Sequence, residues 1–215
     1  KTLESIAGMN RKPDEVVIID GGSTDKTAQV ATSFGAKVVT VEHRGIGFAR
    51  QQGILAATGD VVADTDADTI VPRDWLTKHV EALSQPNTVL SFGPFRVLDG
   101  SFPYYQHINY FQTPLQLIFS QVFNLPFAAG QNMAFWREKA MVIGGFNEHI
   151  KVMEDNDLAF RMRKAGRVVF LADNWVTSSG RRSQEGGGMY IRLFRAYIEY
   201  FFHKDRNLTG FPDYR

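Results

Sequence analysis

The chain contains no cysteine, and its positive and negative side chains nearly cancel. Without cysteine it forms no disulfide, has no thiol nucleophile and builds no zinc–thiolate site. Its 24 Lys and Arg residues against 23 Asp and Glu residues give a formal net charge of +1, whereas a surface that follows nucleic-acid phosphates shows a large basic excess. The composition therefore argues against nucleic acid as a partner and fits a reducing compartment.

Long apolar runs are also missing. The sequence has no uninterrupted run of about 18 apolar residues, the length that a membrane-spanning helix needs. Its first residues do not follow the charged-then-apolar pattern of a secretion signal. We therefore expect a cytoplasmic protein, and its 215 residues are enough for one domain with a buried core.

Short apolar runs alternate with helical segments along the first part of the chain. Helical connections of this kind are typical of a parallel α/β sheet, whose ligands bind at the carboxyl ends of the strands. The aromatic-rich segment 102–127 suits either an ordinary core or a wall that faces an acceptor or a membrane surface. Predicted strands are 15–19, 37–41, 60–63, 88–97, 132–136 and 168–171. Predicted helices are one that starts within 21–25 and runs to about residue 34, one or two within 102–127, and 47–57, 72–84, 137–143, 155–164 and 189–202.

Asp64, Asp66 and Asp68 follow an apolar strand at every second position. Carboxylates this close repel one another unless a cation or a hydrogen-bond donor compensates them. An EF-hand calcium loop beginning at Asp64 needs glycine at its sixth position and glutamate at its twelfth, where Thr69 and Trp75 stand. The pattern therefore favours an open Mg²⁺ or Mn²⁺ site that borrows phosphate oxygens from a substrate, while helix capping would account for one aspartate only.

Two further segments follow predicted strands. Asp20 precedes Gly-Gly-Ser-Thr-Asp, where the glycines let the backbone approach a flat or phosphorylated ligand while the carboxylate accepts N–H or O–H donors. Ser23 or a neighbour in this loop also suits a helix cap. Arg50 stands early in a predicted helix, where a cation is badly placed for the helix dipole, so we expect it to bind an anionic ligand or to form an ion pair.

A fourth polar segment, Glu154-Asp155-Asn156-Asp157, opens a predicted helix. Acidic side chains at a helix amino terminus are stabilised by the helix dipole, so capping is one interpretation. An ionised acid that faces a substrate hydroxyl also acts as a general base. Both interpretations stay open on these residues alone.

Taken in order, these segments resemble a family 2 glycosyltransferase of the GT-A fold. The resemblance covers about residues 3–183, and four segments in the family's order and spacing carry it: IIDGGSTDKT, TDADTIVPRDWL, GQNMAFWR with GGFNE, and EDNDLAFRMRKAG. It implies an α/β fold with a mostly parallel central sheet flanked by helices. Residues 1–215 would form one domain, with a nucleotide-binding half at 1–85, an acceptor and catalytic half at 86–183, and an amphipathic helix and tail at 184–215.

The resemblance also implies roles for single residues. Asp66 and Asp68 form the D-x-D site for ribose and a Mn²⁺ or Mg²⁺ cofactor, with Asp64 as an accessory acid. Asp20 reads the nucleotide base, and Asp155 is the catalytic base of a single displacement that inverts the anomeric carbon.

Further residues are expected to touch the donor or the acceptor. By the same resemblance, the donor is a nucleotide-diphosphate sugar, and the acceptor is a glycan, a lipid or a small molecule. The oligomeric state and a peripheral membrane contact through residues 189–202 stay open. The remaining residues expected to bind the nucleotide sugar are Ser23, Arg50, Gly130, Gln131, Asn132, Arg181 and Arg182.

Two departures from the family pattern qualify the resemblance. The family begins with an apolar strand, but this chain starts in what would be the following helix, so we expect further residues upstream in the natural protein. The Q-x-x-R-W motif of processive synthases is absent, which favours transfer of one sugar at a time. Two alternative functions stay open: a sugar-nucleotide pyrophosphorylase and a non-catalytic sugar-nucleotide-binding module.

Overall fold

Strands and helices alternate through the first half of the chain, as the apolar periodicity predicts. The structure, a computed structural model, describes residues 1–42, 45–150, 152–181 and 187–202. The strands are β1 Val17–Asp20, β2 Lys37–Thr40, β3 Val61–Asp64, β4 Thr88–Phe92, β5 Phe95–Val97, β6 Met133–Trp136, β7 Arg167–Phe170 and β8 Val176–Ser178. The helices are α1 Thr2–Ala7, α2 Thr27–Ser33, α3 Ile46–Ala56, α4 Trp75–Leu83, α5 Phe102–Gln106, a π-helical segment His107–Phe111, α6 Gln112–Gln121, α7 Arg137–Val142, α8 Glu154–Met162 and α9 Gly187–Phe202.

The strands form one central sheet and two smaller ones. The central sheet has the order β3-β6-β4-β7, in which β6 runs antiparallel to β3 and β4, while β4 and β7 are parallel. Two parallel pairs, β1 with β2 and β5 with β8, lie outside this sheet. Of the three pairings among the described strands of the central sheet, only β4–β7 is parallel, so the prediction that the central sheet is mostly parallel is wrong. Both pairings outside it are parallel.

The predicted strand 88–97 is divided in two. Strand β4 belongs to the central sheet, whereas β5 pairs with β8, a strand that the sequence analysis did not predict. Gly93 and Pro94 separate the two strands. A Cβ on Gly93 would lie 2.5 Å from the carbonyl oxygen of Asn174, so the backbone there approaches its neighbour too closely for any side chain.

The helix predicted to start within residues 21–25 begins later, at Thr27. The Asp20 carboxylate accepts a hydrogen bond from the backbone N–H of Ser23 at 2.9 Å, which holds the intervening residues in a turn. The Asp25 carboxylate accepts from the N–H of Thr27, the first helical residue, at 2.8 Å. The N-cap position itself is Lys26 and makes no side-chain capping bond, so Asp25 satisfies one helix N–H from outside the cap position.

The main core lies between the central sheet and α8. All five residues of β4 are buried, and α8 and α7 pack against this layer. Since α3 contacts both β1 and α8, the packing brings the start of α3 and α8 close to the end of β3. The largest fully buried apolar side chains of this cluster are Ile54, Val89, Leu90, Phe92, Met133, Phe135, Leu158 and Met162.

The last described helix, α9, packs on the domain. The Tyr200 hydroxyl donates to the buried Asp157 carboxylate at 2.8 Å, and the Tyr200 and Phe201 rings contact Phe160. Ala196 is buried against Val152 and Met153 in a small apolar cluster. Across the described ranges, no helix combines the length and the apolar content that crossing a membrane requires.

Candidate active site

The guanidinium of Arg50 lies at the centre of an acidic cluster. It contacts the Asp64 carboxylate through Nη1, Asp66 Oδ1 through Nη2 at 2.8 Å, and Glu154 Oε1 through Nε at 3.3 Å. Nη1 also donates to the backbone carbonyl of Gly130 at 2.7 Å. Only 9% of the Arg50 side chain is exposed, so these partners replace nearly all of its water. We call Arg50, Asp64, Asp66 and Glu154 the buried ion cluster.

Three elements of the fold build the buried ion cluster. Helix α3 supplies Arg50 in its second turn, β3 ends at Asp64 and leads into Asp66, and α8 begins at Glu154. The sequence analysis gave Glu154 no role, because an acid in the first turn of a helix is explained by capping alone. Its burial becomes visible only when α8 packs against α3.

Burial sets the electrostatics of the cluster. It raises the pKa of the Asp64 carboxyl to about 6, because loss of water outweighs the opposing attraction of Arg50. Burial likewise raises the pKa of Glu154, assisted by the neighbouring negative charge of Asp155. The carboxylates in turn raise the pKa of Arg50, although its own burial acts in the opposite direction. The guanidinium therefore stays charged, and the acids depend on it as their common counter-ion.

Asp155 is held next to this cluster by backbone donors. Its Oδ2 accepts from the N–H of Gly130 at 2.8 Å, and its Oδ1 accepts from the backbone and side-chain nitrogens of Asn156 at 2.7 Å each. A Cβ on Gly130 would lie 2.4 Å from the guanidinium of Arg50, so the position requires glycine. Gly130 thus contacts Arg50 through its carbonyl and Asp155 through its N–H, which belong to successive peptide units.

A second arginine neutralises Asp68. Arg181 Nη2 lies 3.0 Å from Asp68 Oδ2, and 56% of the Arg181 side chain is exposed. The Ser178 hydroxyl donates to Asp68 Oδ1 at 3.4 Å. Arg182, predicted to assist Arg181, lies outside the described residues, as do residues 184–186 and 203–215 of the predicted helix and tail.

Two cavities meet at Asp66. The smaller, of about 230 Å³, is lined by Asp66, Asp68, Gln131 and Arg181. The larger, of about 580 Å³, is lined by Asp66, Gln131, Gly130 and Asp155 among others. Asp66 and Gln131 border both, so the cavities adjoin. The fold therefore brings Asp66, Asp68 and Asp155 to one continuous cleft, although 87 residues separate Asp68 from Asp155 in the numbering (155 less 68).

Asp20 and Ser23 lie elsewhere on the domain. They follow β1, where the Asp20 side chain is buried and accepts from the Ser23 N–H. Neither lines the two cavities at Asp66. Strand β1 packs against α3, the helix that carries Arg50. Their assignment to the nucleotide stays a prediction.

The position of Asn132 contradicts its predicted role in binding the nucleotide sugar. Its side chain is fully buried and lines neither cavity. Its Nδ2 donates to the carbonyls of Pro94 and Asn174 at 2.7 Å each, and its Oδ1 accepts from Trp75 Nε1 at 2.8 Å. All of its hydrogen-bonding atoms thus tie the core together, and Asn132 has a structural role rather than a contact with a donor sugar.

His79 completes this buried network. Its Nε2 lies 3.1 Å from Asn132 Oδ1 and its Nδ1 lies 2.8 Å from the Ser91 hydroxyl. Since the Asn132 oxygen only accepts, the proton of the neutral ring sits on Nε2, and Nδ1 accepts from Ser91. Burial lowers the pKa of His79 to about 4. The ring is therefore neutral near pH 7.

The donor set at Asp66 and Asp68 suits a hard divalent cation. Two carboxylates border the smaller cavity, each now balanced by an arginine. Within the part of the chain that the structure describes, no group of three or more acidic or histidine side chains is close enough together to coordinate one metal ion. A cation there would draw its remaining ligands from water and a bound phosphate, which is how Mg²⁺ and Mn²⁺ are commonly held at nucleotide sites.

Comparison with known proteins identifies the family. Residues 1–144 match the sequence profile of Glycosyl transferase family 2, and the chain belongs to that family. A dolichyl-phosphate hexose transferase from Haloferax volcanii is 36% identical over 77 residues, which are 36% of this chain and 33% of that protein. The chain thus spans about a third of the length of this curated relative.

Solved structures confirm the GT-A fold. A mannosyltransferase from Pyrobaculum calidifontis, in complex with GDP-Man and Mn²⁺, superposes with a TM-score of 0.70 at 23% identity, covering 98% of this chain and 61% of its own. Glucosyl-3-phosphoglycerate synthase from Mycobacterium tuberculosis, in complex with Mn²⁺ and UDP-glucose, gives 0.63 at 21% identity, covering 99% and 76%. The predicted family and α/β fold are confirmed.

Proposed function

We propose that this chain transfers one sugar from a nucleoside-diphosphate sugar to an acceptor hydroxyl, with inversion at the anomeric carbon. The observation that supports this most directly is the shared cleft: Asp66 and Asp68 line one cavity, and Asp66 and Asp155 line the cavity that adjoins it. Family membership favours this activity over the pyrophosphorylase and the binding module. The two solved neighbours described above were crystallised with GDP-Man or UDP-glucose, which supports a donor of this class.

Asp66 and Asp68 would hold a divalent cation, Mn²⁺ or Mg²⁺. When bound, the cation neutralises charge that develops on the leaving diphosphate. Arg181 supplies a mobile positive charge at the same place, because its exposed guanidinium exchanges Asp68 for a phosphate oxygen at little cost. Asp20 and Ser23 are assigned to the nucleotide, and Gly130 and Gln131 to the sugar.

Asp155 is assigned the role of general base. The Gly130 and Asn156 donors orient its carboxylate toward an acceptor in the larger cavity. As the acceptor oxygen attacks the anomeric carbon, Asp155 takes its proton, and the bond to the diphosphate breaks with its electron pair on the leaving oxygen. A single displacement of this kind inverts the anomeric configuration.

Asp155→Asn tests the proposal. Amide substitution preserves the shape of the side chain but removes the base, so we expect donor turnover to fall by about 10²- to 10⁴-fold. Donor binding should persist, measured as the rise in melting temperature with UDP-, GDP- or dTDP-sugars in the presence of Mn²⁺. Asp173→Asn is the matched control, since that acid is 78% exposed and pairs only with Lys78 among the described residues.

Two results would overturn this assignment. Unchanged turnover in Asp155→Asn would exclude Asp155 as the base. A donor-induced rise in melting temperature without turnover in the wild-type protein, across the tested acceptors, would favour the binding module.

A further inference from the structure

Among the residues that the structure describes, charged side chains line the larger cavity at one end only. They are Arg50, Asp66, Glu154 and Asp155, which lie together around Gly130. His107, a further titratable base on the described wall, has its pKa lowered by burial. Away from the Asp155 end, a bound molecule therefore meets no charged side chain of the described residues.

The uncharged part of the cavity has a preformed apolar wall. The Phe119 and Phe127 rings meet edge to face with centroids 5.0 Å apart, and Tyr190 of α9 meets His107 at 5.5 Å. The π-helical segment, α6 and α9 thus all contribute side chains to this wall. The apolar lining residues that form this wall are Ile108, Leu115, Phe119, Phe127, Val152 and Phe194.

The amides on this wall offer little to a sugar. Gln116 is buried, and its Nε2 donates to the carbonyl of Phe127 at 3.0 Å. The side-chain oxygens of Gln112, Gln116 and Asn156 are enclosed by protein atoms and have no hydrogen-bond partner among the described residues. A second sugar ring placed here would exchange its hydrogen bonds to water for few accessible polar atoms of the wall, whereas an apolar chain has no such bonds to lose.

Two wall residues are also strongly exposed. Leu115 is 44% exposed and Phe194 is 66% exposed, although both line the cavity. A ligand that covers them removes apolar surface from water, which is favourable in proportion to the area covered. The wall therefore gains most from an elongated apolar ligand.

We propose that the acceptor is an amphiphile, whose hydroxyl reaches Asp155 while an apolar chain lies along the wall of Leu115, Phe119 and Phe194. This inference rests on the proposed function, since it places the acceptor of that reaction in the larger cavity. Of the three acceptor classes that the sequence leaves open, a glycan, a lipid or a small molecule, the proposal therefore selects the lipid-like one.

A homologous series of n-alkyl glucosides, from ethyl to decyl, tests the proposal. All members carry the same hydroxyls, so the chain is the only variable. With a donor that raises the melting temperature of the protein, we expect kcat/KM to increase about fourfold per methylene over the first several members, the factor that corresponds to burying one CH₂ group. Equal kcat/KM for the ethyl and decyl glucosides would overturn the proposal.

Leu115→Gln and Ile118→Gln form a matched pair. Both residues lie on α6 and are similarly exposed, at 44% and 47%, but Leu115 lines the cavity and Ile118 does not. The measured quantity is kcat/KM for decyl glucoside divided by kcat/KM for ethyl glucoside. We expect Leu115→Gln to lower this ratio by at least tenfold and Ile118→Gln to leave it unchanged. Equal effects of the two substitutions would assign the chain-length dependence to the general surface and contradict the proposal.

A binding measurement separates this inference from the proposed function. Decyl glucoside below its micelle concentration should raise the melting temperature of the wild-type protein more than ethyl glucoside does, without any donor, and less so for Leu115→Gln. If this difference is seen but no sugar is ever transferred, the proposed function fails and the apolar site stands. If transfer occurs without any chain-length effect on binding or rate, the inference fails and the proposed function stands.

Discussion

Two arginine–aspartate contacts in the cleft have the same chemistry and opposite surroundings. Arg50 holds Asp66 with a side chain that is 9% exposed, whereas Arg181 holds Asp68 with one that is 56% exposed. Exposed pairs contribute little because water competes for both partners. A buried arginine cannot leave without stranding its carboxylates. The comparison favours a structural role for Arg50 and makes Arg181 the arginine that can exchange its partner at lower cost, while the assignment of both to the nucleotide sugar stays a prediction.

The largest expected change in the free energy of unfolding follows from replacing Arg50, the buried arginine. Arg50→Met keeps much of the side-chain volume but leaves Asp64 and Glu154 without their counter-ion. We expect the free energy of unfolding to fall by about 3–5 kcal/mol, measured by urea denaturation. Arg50→Met combined with Asp64→Asn should recover part of this loss, because one stranded carboxylate is removed. If Arg50→Met and Arg181→Met destabilise equally, the contrast between the two pairs is wrong.

His79 shows the effect of burial on a side chain whose charge changes with pH. Its pKa is lowered from 6.5 to about 4 by burial, so the unfolded chain binds the proton more readily than the folded one. The stabilising contribution of the neutral ring is complete above pH 6.5 and is lost as the pH falls toward 4. A tenfold change in proton affinity is worth about 1.4 kcal/mol, which gives a loss of about 2 kcal/mol by pH 5.

His79→Gln isolates this contribution. Glutamine keeps a hydrogen-bonding head group but does not titrate, so the variant should lose about 2 kcal/mol less stability than the wild type between pH 7 and pH 5. Urea denaturation at the two pH values measures the difference. Parallel losses in both proteins would show that His79 has the same pKa in the folded and unfolded states, and would contradict its burial as a neutral ring.

The smallest expected change in the free energy of unfolding comes from replacing Arg181, the exposed arginine. Arg181→Ala should alter the free energy of unfolding by less than about 1 kcal/mol. If Arg181 exchanges Asp68 for the donor diphosphate, the same variant should weaken donor binding about tenfold, measured by titration with the stabilising nucleotide sugar. Arg96→Ala is a control, since its guanidinium stacks on the Trp175 ring and lines neither cavity. Equal donor affinity in the wild type and Arg181→Ala would remove Arg181 from the donor site.

Much of the fold was predictable from local patterns. The apolar runs before Asp20 and Asp64 and the polar segment at Glu154 gave strands and a helix within a few residues of β1, β3 and α8. The three acids Asp64, Asp66 and Asp68 were recognisable as a candidate cation site because closely spaced acids after a strand carry a chemical signal of their own, whereas the choice of Asp155 within its acidic segment rested on the family resemblance. The arrangement of Asp66, Asp68 and Asp155 in one cleft agrees with both.

The remaining features depend on contacts between distant residues. Asn132 stands beside Gly130 and Gln131 in the chain, and only packing shows that its amide faces Trp75 and His79 in the core. Strand β8 has three residues and is defined by its partner β5 rather than by its own periodicity. Glu154 likewise required the approach of α8 to α3 before its ion pair with Arg50 became visible.

Gly130 has a kinetic consequence. Its carbonyl accepts from Arg50 and its N–H donates to Asp155, so one residue with no side chain ties the cation of the buried ion cluster to the proposed base. These two hydrogen bonds hold the two peptide units that meet at the Gly130 Cα, so the loss of one partner loosens the backbone that orients the other. Rate losses from substitutions at positions 50 and 155 should therefore fail to add, and the shortfall in a double-mutant cycle is the coupling free energy between these two positions.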